Sequence, residues 1–214
     1  MRFKAKVTKD NVSILISAVT SIMKIGTFAA CFLDEENVRL AVMSENLDQP
    51  KVYAELSQQC VFFEYRIESQ SENTILFEID LDLLLLALTS AKNAPSCSLK
   101  LAKRDQKPCL CLETRASEVD IVHDIPIKIM KSSDIVYYQP PEIPDPSVVL
   151  ELPRGRLMKT VLDRMMKISK QVHITADQTG RLVFRVDHSS ATIQTFYNGI
   201  TLTPFLLQTN YCSF

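Results

Sequence analysis

Val12-Ser-Ile-Leu-Ile-Ser-Ala-Val-Thr-Ser-Ile-Met-Lys-Ile-Gly26 has a counterpart 143 residues further on, Leu157-Met-Lys-Thr-Val-Leu-Asp-Arg-Met-Met-Lys-Ile-Ser169. Identities fall at Met23/Met166, Lys24/Lys167 and Ile25/Ile168, and then at Asp34/Asp177. Apolar positions 15, 18, 19, 22 and 23 map onto 158, 161, 162, 165 and 166, the spacing of one face of an amphipathic helix. The surroundings repeat as well. A short alternating strand precedes each helix, Phe3–Val7 in one copy and Val148–Leu152 in the other. A β-hairpin follows, 27–34 with 37–43 and 171–177 with 181–187. Glu35-Glu-Asn37 and Gln178-Thr-Gly180 supply the turns. The alternative is a chance match of two unrelated β-α-β-β pieces. Shared order, helix phase and the Lys-Ile ending favour true repetition.

The first copy continues through a strand at 51–57, then Cys60-Val-Phe-Phe-Glu-Tyr65, to a strand at 74–80. A leucine-rich helix follows over Leu81–Lys92, and three more strands at 97–103, 109–114 and 120–130. Two helices against one mainly antiparallel sheet make an α+β layer. Four of the ten prolines lie between Pro140 and Pro146, which suits a semi-rigid extended connector. The expected organisation is a complete first domain over 1–131, a connector over 132–146, the N-terminal half of a second domain over 147–200, and a divergent tail over 201–214. At a spacing of 143, the counterpart of the strand ending near 130 would end near 273, whereas the sequence has 214 residues. The second copy is therefore expected to be incomplete, and residues 146–214 less protected from proteolysis than 1–130.

Composition bounds the function. Hydrophobic residues make up 46% and charged residues 23%, ordinary for a chain with a buried core. With 24 basic and 25 acidic residues the net charge is −1, so nucleic-acid contact needs a local patch. The longest apolar run, Leu83–Leu88, falls far short of the ~20 residues that span a bilayer, and no signal-like segment opens the chain. A soluble intracellular protein is expected. The six cysteines (31, 60, 97, 109, 111 and 212) sit mostly in strand-like text, and most of them read as structural thiols. Cys97, Cys109 and Cys111 lack the paired spacing of zinc ligands.

Several stretches carry a family likeness: Met1-Arg-Phe-Lys-Ala-Lys6, Ala91-Lys-Asn-Ala94, Val122-His-Asp-Ile-Pro-Ile-Lys128, Ile143-Pro-Asp-Pro146 and Met158-Lys-Thr-Val-Leu-Asp-Arg-Met-Met-Lys-Ile-Ser169. Together with the tandem α+β units, they resemble the HUS subunits of the nine-one-one DNA-damage checkpoint clamp, over residues 1 to about 200. The resemblance implies a sliding-clamp fold, a heterotrimeric ring with two sister subunits, and loading onto double-stranded DNA by a clamp loader. It further implies recruitment of repair and checkpoint proteins, a nuclear location, no cofactor and no catalysis. In the family the second domain runs on past the point where this sequence diverges, after Gly199. A ring-incompetent isoform is the runner-up, and an unrelated α+β interaction module the third reading.

The residues speak to DNA on their own account. From Glu151 to Lys170 there are six basic residues and two acidic. Opposite the apolar face of the second helix lie Arg156, Lys159, Lys167 and Lys170, with Arg164 beside them. Such cations can neutralise phosphates without reading bases; the competing reading is a solvated helix face. Lys24 is the corresponding cation of the first helix, whose exposed side is otherwise polar. Lys100, Lys103, Arg104 and Lys107 form another cluster, read chiefly as a solubilising turn.

Enzyme readings find little. A nucleophile-and-base constellation could use a cysteine with His123, His173 or His188, but His123 and His173 lie in strands, where one satisfied hydrogen bond is the usual role. Asp80 and Asp82 open a helix, where acids cap the positive end. No phosphate loop, His-Glu-x-x-His or Gly-x-Ser-x-Gly is present.

Overall fold

The computed structural model describes residues 1–42, 51–115, 119–142, 144–152 and 155–202. The chain divides into two compact units, Met1–Pro141 and Glu142–Phe214.

The first unit opens with β1 (Arg2–Thr8), α1 (Lys9–Ile22), β2 (Phe28–Leu33), β3 (Asn37–Val42) and β4 (Val52–Ser57). A four-residue turn, α2 (Gln58–Val61), leads to β5 (Phe62–Glu68). β6 (Ile75–Asp80), α3 (Leu81–Ala91), β7 (Ser96–Arg104), β8 (Lys107–Arg115) and β9 (Asp120–Ile129) complete the layer. The nine strands pair in the order β4-β3-β2-β6-β9-β8-β7-β1-β5, every pairing antiparallel. Alternation decides the faces. Phe3, Ala5 and Val7 point into the core while Arg2, Lys4 and Lys6 point to the other side. Both helices cover the apolar face. α1 buries Val12, Leu15, Val19 and Ile22, and α3 buries Leu81, Leu84, Ala87, Leu88 and Ala91. Both are capped as their sequences indicate. Thr8 accepts from the Asn11 amide, and the Asp80 carboxylate accepts from Asp82 and Leu83 at 2.9 and 3.2 Å.

β9 changes partner along its length. Residues 120–126 pair with β8, and 127–129 pair with β6. In the first half of the layer the matching path is broken in two: β4 pairs with β3, then α2 turns the chain and β5 pairs with β1. β5 is one strand more than the sequence pattern predicts. The reason is a bulge: Lys6 pairs with Glu64 and Val7 with Phe62, so Phe63 is unpaired and the in-out alternation of Phe62-Phe-Glu-Tyr65 is lost.

Past β9, residues expected to form an extended connector instead make a 3-10 turn (Ser132–Asp134) and a short helix, α4 (Ile135–Tyr138). The Asp134 carboxylate accepts from the Lys131 amide, and Ile135 and Tyr138 pack on Ala30, Ala41 and Leu76. Burying those side chains holds the segment to the first unit.

The second unit contains α5 (Gly155–Met165) and the three-stranded antiparallel sheet β10 (His173–Ala176), β11 (Leu182–His188) and β12 (Ala191–Tyr197). Its core is small: Met165, Leu182, Phe184 and Val186, with Met158, Val161, Leu162 and Tyr197 packed around them. Of the strand expected at Val148–Leu152, the described residues show one bridge, Leu150 with Leu202. β12, which the sequence pattern does not mark, pairs with β11 along its whole length. The expected tail over 201–214 lies, from residue 203 on, outside the described residues, as does Cys212.

The repeated identities occupy matching positions. In both helices the last turn closes in the same way, Met23 to Val19 at 3.0 Å and Met166 to Leu162 at 2.8 Å, which leaves Lys24 and Lys167 two residues past the helix. Asp34 and Asp177 both organise a hairpin turn. Asp34 accepts from the Glu36 and Asn37 amides at 2.8 and 2.7 Å, and Asp177 from the Thr179 and Arg181 amides at 2.8 and 3.3 Å. The second turn is one residue longer, absorbed by Gly180 at φ 77°. After it, buried Val38, Leu40 and Val42 match Leu182, Phe184 and Val186.

Candidate nucleic-acid interface

α5 is amphipathic by construction. Met158, Val161, Leu162 and Met165 face the small core, as their spacing predicts. At 100° per residue, Arg156 and Lys167 fall opposite that face, with Lys159 and Arg164 on its two flanks. All four are exposed, and so is Lys170. The structure therefore brings Arg156, Lys159 and Arg164 onto the solvent side of one helix. Lys167 and Lys170 lie beyond it, because α5 ends at Met165 and the chain continues as a turn, Ile168 bonding to Met165 at 2.9 Å. Asp163 and Thr160 sit among the cations. Lys24 is exposed just past the end of α1 in the first unit, where a cation is favoured by the helix dipole.

Pairing separates this cluster from the others. Among the described residues, Arg156, Lys159, Arg164, Lys167, Lys170 and Lys24 make no ion pair. The cluster at the β7–β8 hairpin differs. Lys100 bonds Glu113 at 2.5 Å and Arg104 bonds Asp124 at 3.0 Å. The Lys100 hydrogen bond holds the Glu113 carboxyl below its ordinary value, and Asp124 is lowered first by the Cys111 thiol and then by Arg104. Two of that cluster's four cations are thus occupied, whereas the α5 cations have no carboxylate partner among the described residues and are open to an external anion. Helix-borne cations without base-reading neighbours suit phosphate contact independent of sequence.

The remaining candidates are structural. His123 bonds the Ser90 hydroxyl at 2.8 Å, tying β9 to α3. His173 lies 3.8 Å from Asp187, and His188 bonds Ser190 at 3.1 Å in the β11–β12 turn. Cys31, Cys97, Cys109 and Cys111 are buried free thiols; burial pushes Cys31 up to about 12 and Cys97 to about 11, so neither is a thiolate at neutral pH. Among the described residues no group of three His, Cys, Asp or Glu side chains is arranged to hold a metal, and no helix is long and apolar enough to cross a membrane.

One feature is absent from the sequence pattern. An open cleft of about 550 Å³ lies at the connector, lined by Lys51, Tyr53, Val136, Tyr137, Gln139 and Pro140. Val136 and Tyr137 are 73% and 74% exposed, the highest values for large apolar side chains among the described residues. Their signal in the sequence is Val136-Tyr-Tyr138, apolar text inside the expected connector.

Comparisons with known proteins bear on the whole arrangement. A family model described as Hus1-like protein matches residues 1–209, running ten residues past Gly199, after which the sequence pattern is expected to diverge. The chain is 33% identical over 209 residues to a Dictyostelium discoideum protein described as checkpoint protein hus1 homolog, covering 96% of this chain and 76% of that one. It is 29% identical over 205 residues to checkpoint protein hus1 of Schizosaccharomyces pombe, covering 94% and 70%. Among solved structures it is similar to PCNA from Thermococcus kodakaraensis, with a TM-score of 0.60 over 92% of this chain and 73% of that one, at 18% identity. At that identity the likeness speaks to fold alone, and the fold is the α+β sliding-clamp fold.

Proposed function

The chain belongs to the Hus1-like family, and from that membership we propose that it is a subunit of a heterotrimeric checkpoint clamp that encircles double-stranded DNA. Two sister subunits complete the ring, and a clamp loader places it on DNA. The protein performs no chemistry of its own. It holds position on the duplex and recruits repair and checkpoint-signalling factors in the nucleus. The observation that carries this reading is the set of unpaired cations on and just past α5, Arg156, Lys159, Arg164, Lys167 and Lys170, on a helix whose other face is committed to the core. A ring that slides needs charge neutralisation without base recognition, and these side chains supply it. Exposed Val136 and Tyr137 support a recruiting role, since contiguous apolar exposure marks interaction sites.

The test combines assembly and salt dependence. The full chain is mixed with purified sister subunits, and the complex is loaded onto nicked circular DNA. Lys159→Ala, Lys167→Ala and Lys170→Ala are expected to weaken retention. The slope of log affinity against log salt should become shallower by about 0.9 for each phosphate no longer neutralised, so by up to about 2.7 for all three. Unchanged retention and slope would remove α5 from the DNA face. Sister binding without loading would favour the ring-incompetent reading, and absence of sister binding would sink the clamp assignment.

A further inference from the structure

We infer that the solvent face of the first unit's sheet carries a docking groove for a short acidic peptide segment bearing an apolar residue. The groove has a volume of about 460 Å³ and is lined by Lys4, Lys6, Phe63, Ser96, Ser98, Arg115 and the carboxylate Glu113, with buried Cys97 at its floor. It crosses four strands, β5, β1, β7 and β8. It belongs to the first unit alone and shares no residue with the cations of α5.

Two independent features point to this occupant. The first is the bulge between β1 and β5, which turns Phe63 outward and leaves it 57% exposed at the groove's edge. A bulge of this kind re-aims a side chain, and here it places an aromatic ring on an otherwise polar face. The second is charge. Lys4, Lys6 and Arg115 line the groove with one carboxylate, Glu113; Glu64 and Lys100 pair with these groups and Asp120 lies opposite Arg115 in the β8–β9 register, so four cations stand against three carboxylates. Glu64 is shared by Lys6 at 2.5 Å and Lys4 at 3.8 Å, and Glu113 is bonded by Lys100. Arg115 makes no ion pair among the described residues. The Ser96 and Ser98 side chains lie half-buried between the cations, Ser98 opposite Lys6 on one side and Glu113 on the other, and offer hydroxyl donors to carboxylate oxygens.

The same features disfavour a nucleic-acid strand. A continuous phosphate backbone would have to pass the Glu64 and Glu113 carboxylates, whereas spaced Asp or Glu side chains can alternate with them. Phe63 then receives the apolar residue of the segment, and charge complementarity sets its register.

The test uses the full chain and a short fluorescein-labelled peptide of repeating Glu-Leu, followed by anisotropy, with Lys-Leu and Ser-Gly peptides of equal length as controls. Saturable binding of the Glu-Leu peptide alone is expected. Lys6→Glu with Arg115→Glu should weaken it at least about tenfold, and Phe63→Ser about threefold or more. These side chains are outside the core, and circular dichroism of each variant checks that the fold is kept; Arg115→Glu by itself, at an exposed position, remains informative if the others fold poorly. Equal binding of all three peptides, no binding of the Glu-Leu peptide, or indifference to every variant would overturn the proposal. Preferential binding of a duplex oligonucleotide, abolished in the same variants, would overturn it in favour of a polyanion track.

Discussion

Phe184→Ala isolates the stability of the second unit. Phe184 is 2% exposed, one of four buried side chains in that unit's cluster among the described residues, and it meets Tyr197 edge-to-face with centroids 5.8 Å apart. The first unit's main cluster has 29 such residues among those described. Removing a buried phenylalanine costs about 3–5 kcal/mol, and losing the ring pair adds roughly 0.5–1.5. At about 1.4 kcal/mol per decade, local opening of β11 and β12 should become at least about a hundredfold more frequent. Amide hydrogen exchange reads this directly. Protection should vanish in 182–197 and persist in β6, β7 and β8, whose core is separate. Limited proteolysis should likewise cut residues 146–200 first, in the variant and, more slowly, in the unaltered chain. Unchanged protection of β11 and β12, or loss spread evenly over both units, would refute the idea of a small self-contained core.

Two further outcomes follow from single side chains. Glu113 is held below its ordinary 4.5 chiefly by the Lys100 hydrogen bond, so its carboxylate favours the folded state; that contribution is complete above 4.5 and is lost as pH falls toward the lower folded value. Glu113→Gln should therefore flatten the acid side of a melting-temperature profile below the ordinary 4.5 while changing little at neutral and higher pH, and an unaltered profile would count against the pairing. Gly180 has φ 77°, and a Cβ there would collide with the Ile200 carbonyl oxygen. Gly180→Ala should cost about 1–3 kcal/mol and destabilise the second unit selectively, whereas an unchanged exchange pattern at 173–188 would contradict the turn geometry.

What the chain discloses by its pattern depends on how regularly a segment uses its period. α1 and α5 are legible because each keeps one apolar face for its whole length, and Asp80 because a cap is a local matter. β5 is hidden by its bulge, which breaks the two-residue period at Phe63. The α4 turn is hidden because Ile135 and Tyr138 find their partners, Ala30, Ala41 and Leu76, far away in sequence. The cations of α5 are readable as a cluster, but their freedom from ion pairs is not. Lys100 and Arg104 look equally basic in the sequence and are neutralised only when β8 and β9 bring Glu113 and Asp124 beside them. The groove on the opposite sheet face is invisible for the same reason: its residues come from four strands between positions 4 and 115.

The partner change along β9 gives the sheet a particular mechanics. Pro126, which has no N–H, is the last residue of β9 paired to β8, and Ile127 is the first paired to β6. The proline thus marks a crease. One continuous backbone crosses it, and at the far side β4–α2–β5 crosses between the same two half-sheets. Each seam is stitched covalently, so pulling the halves apart loads peptide bonds in tension rather than unzipping a hydrogen-bonded ladder one rung at a time. The layer should bend at the crease before any strand peels away.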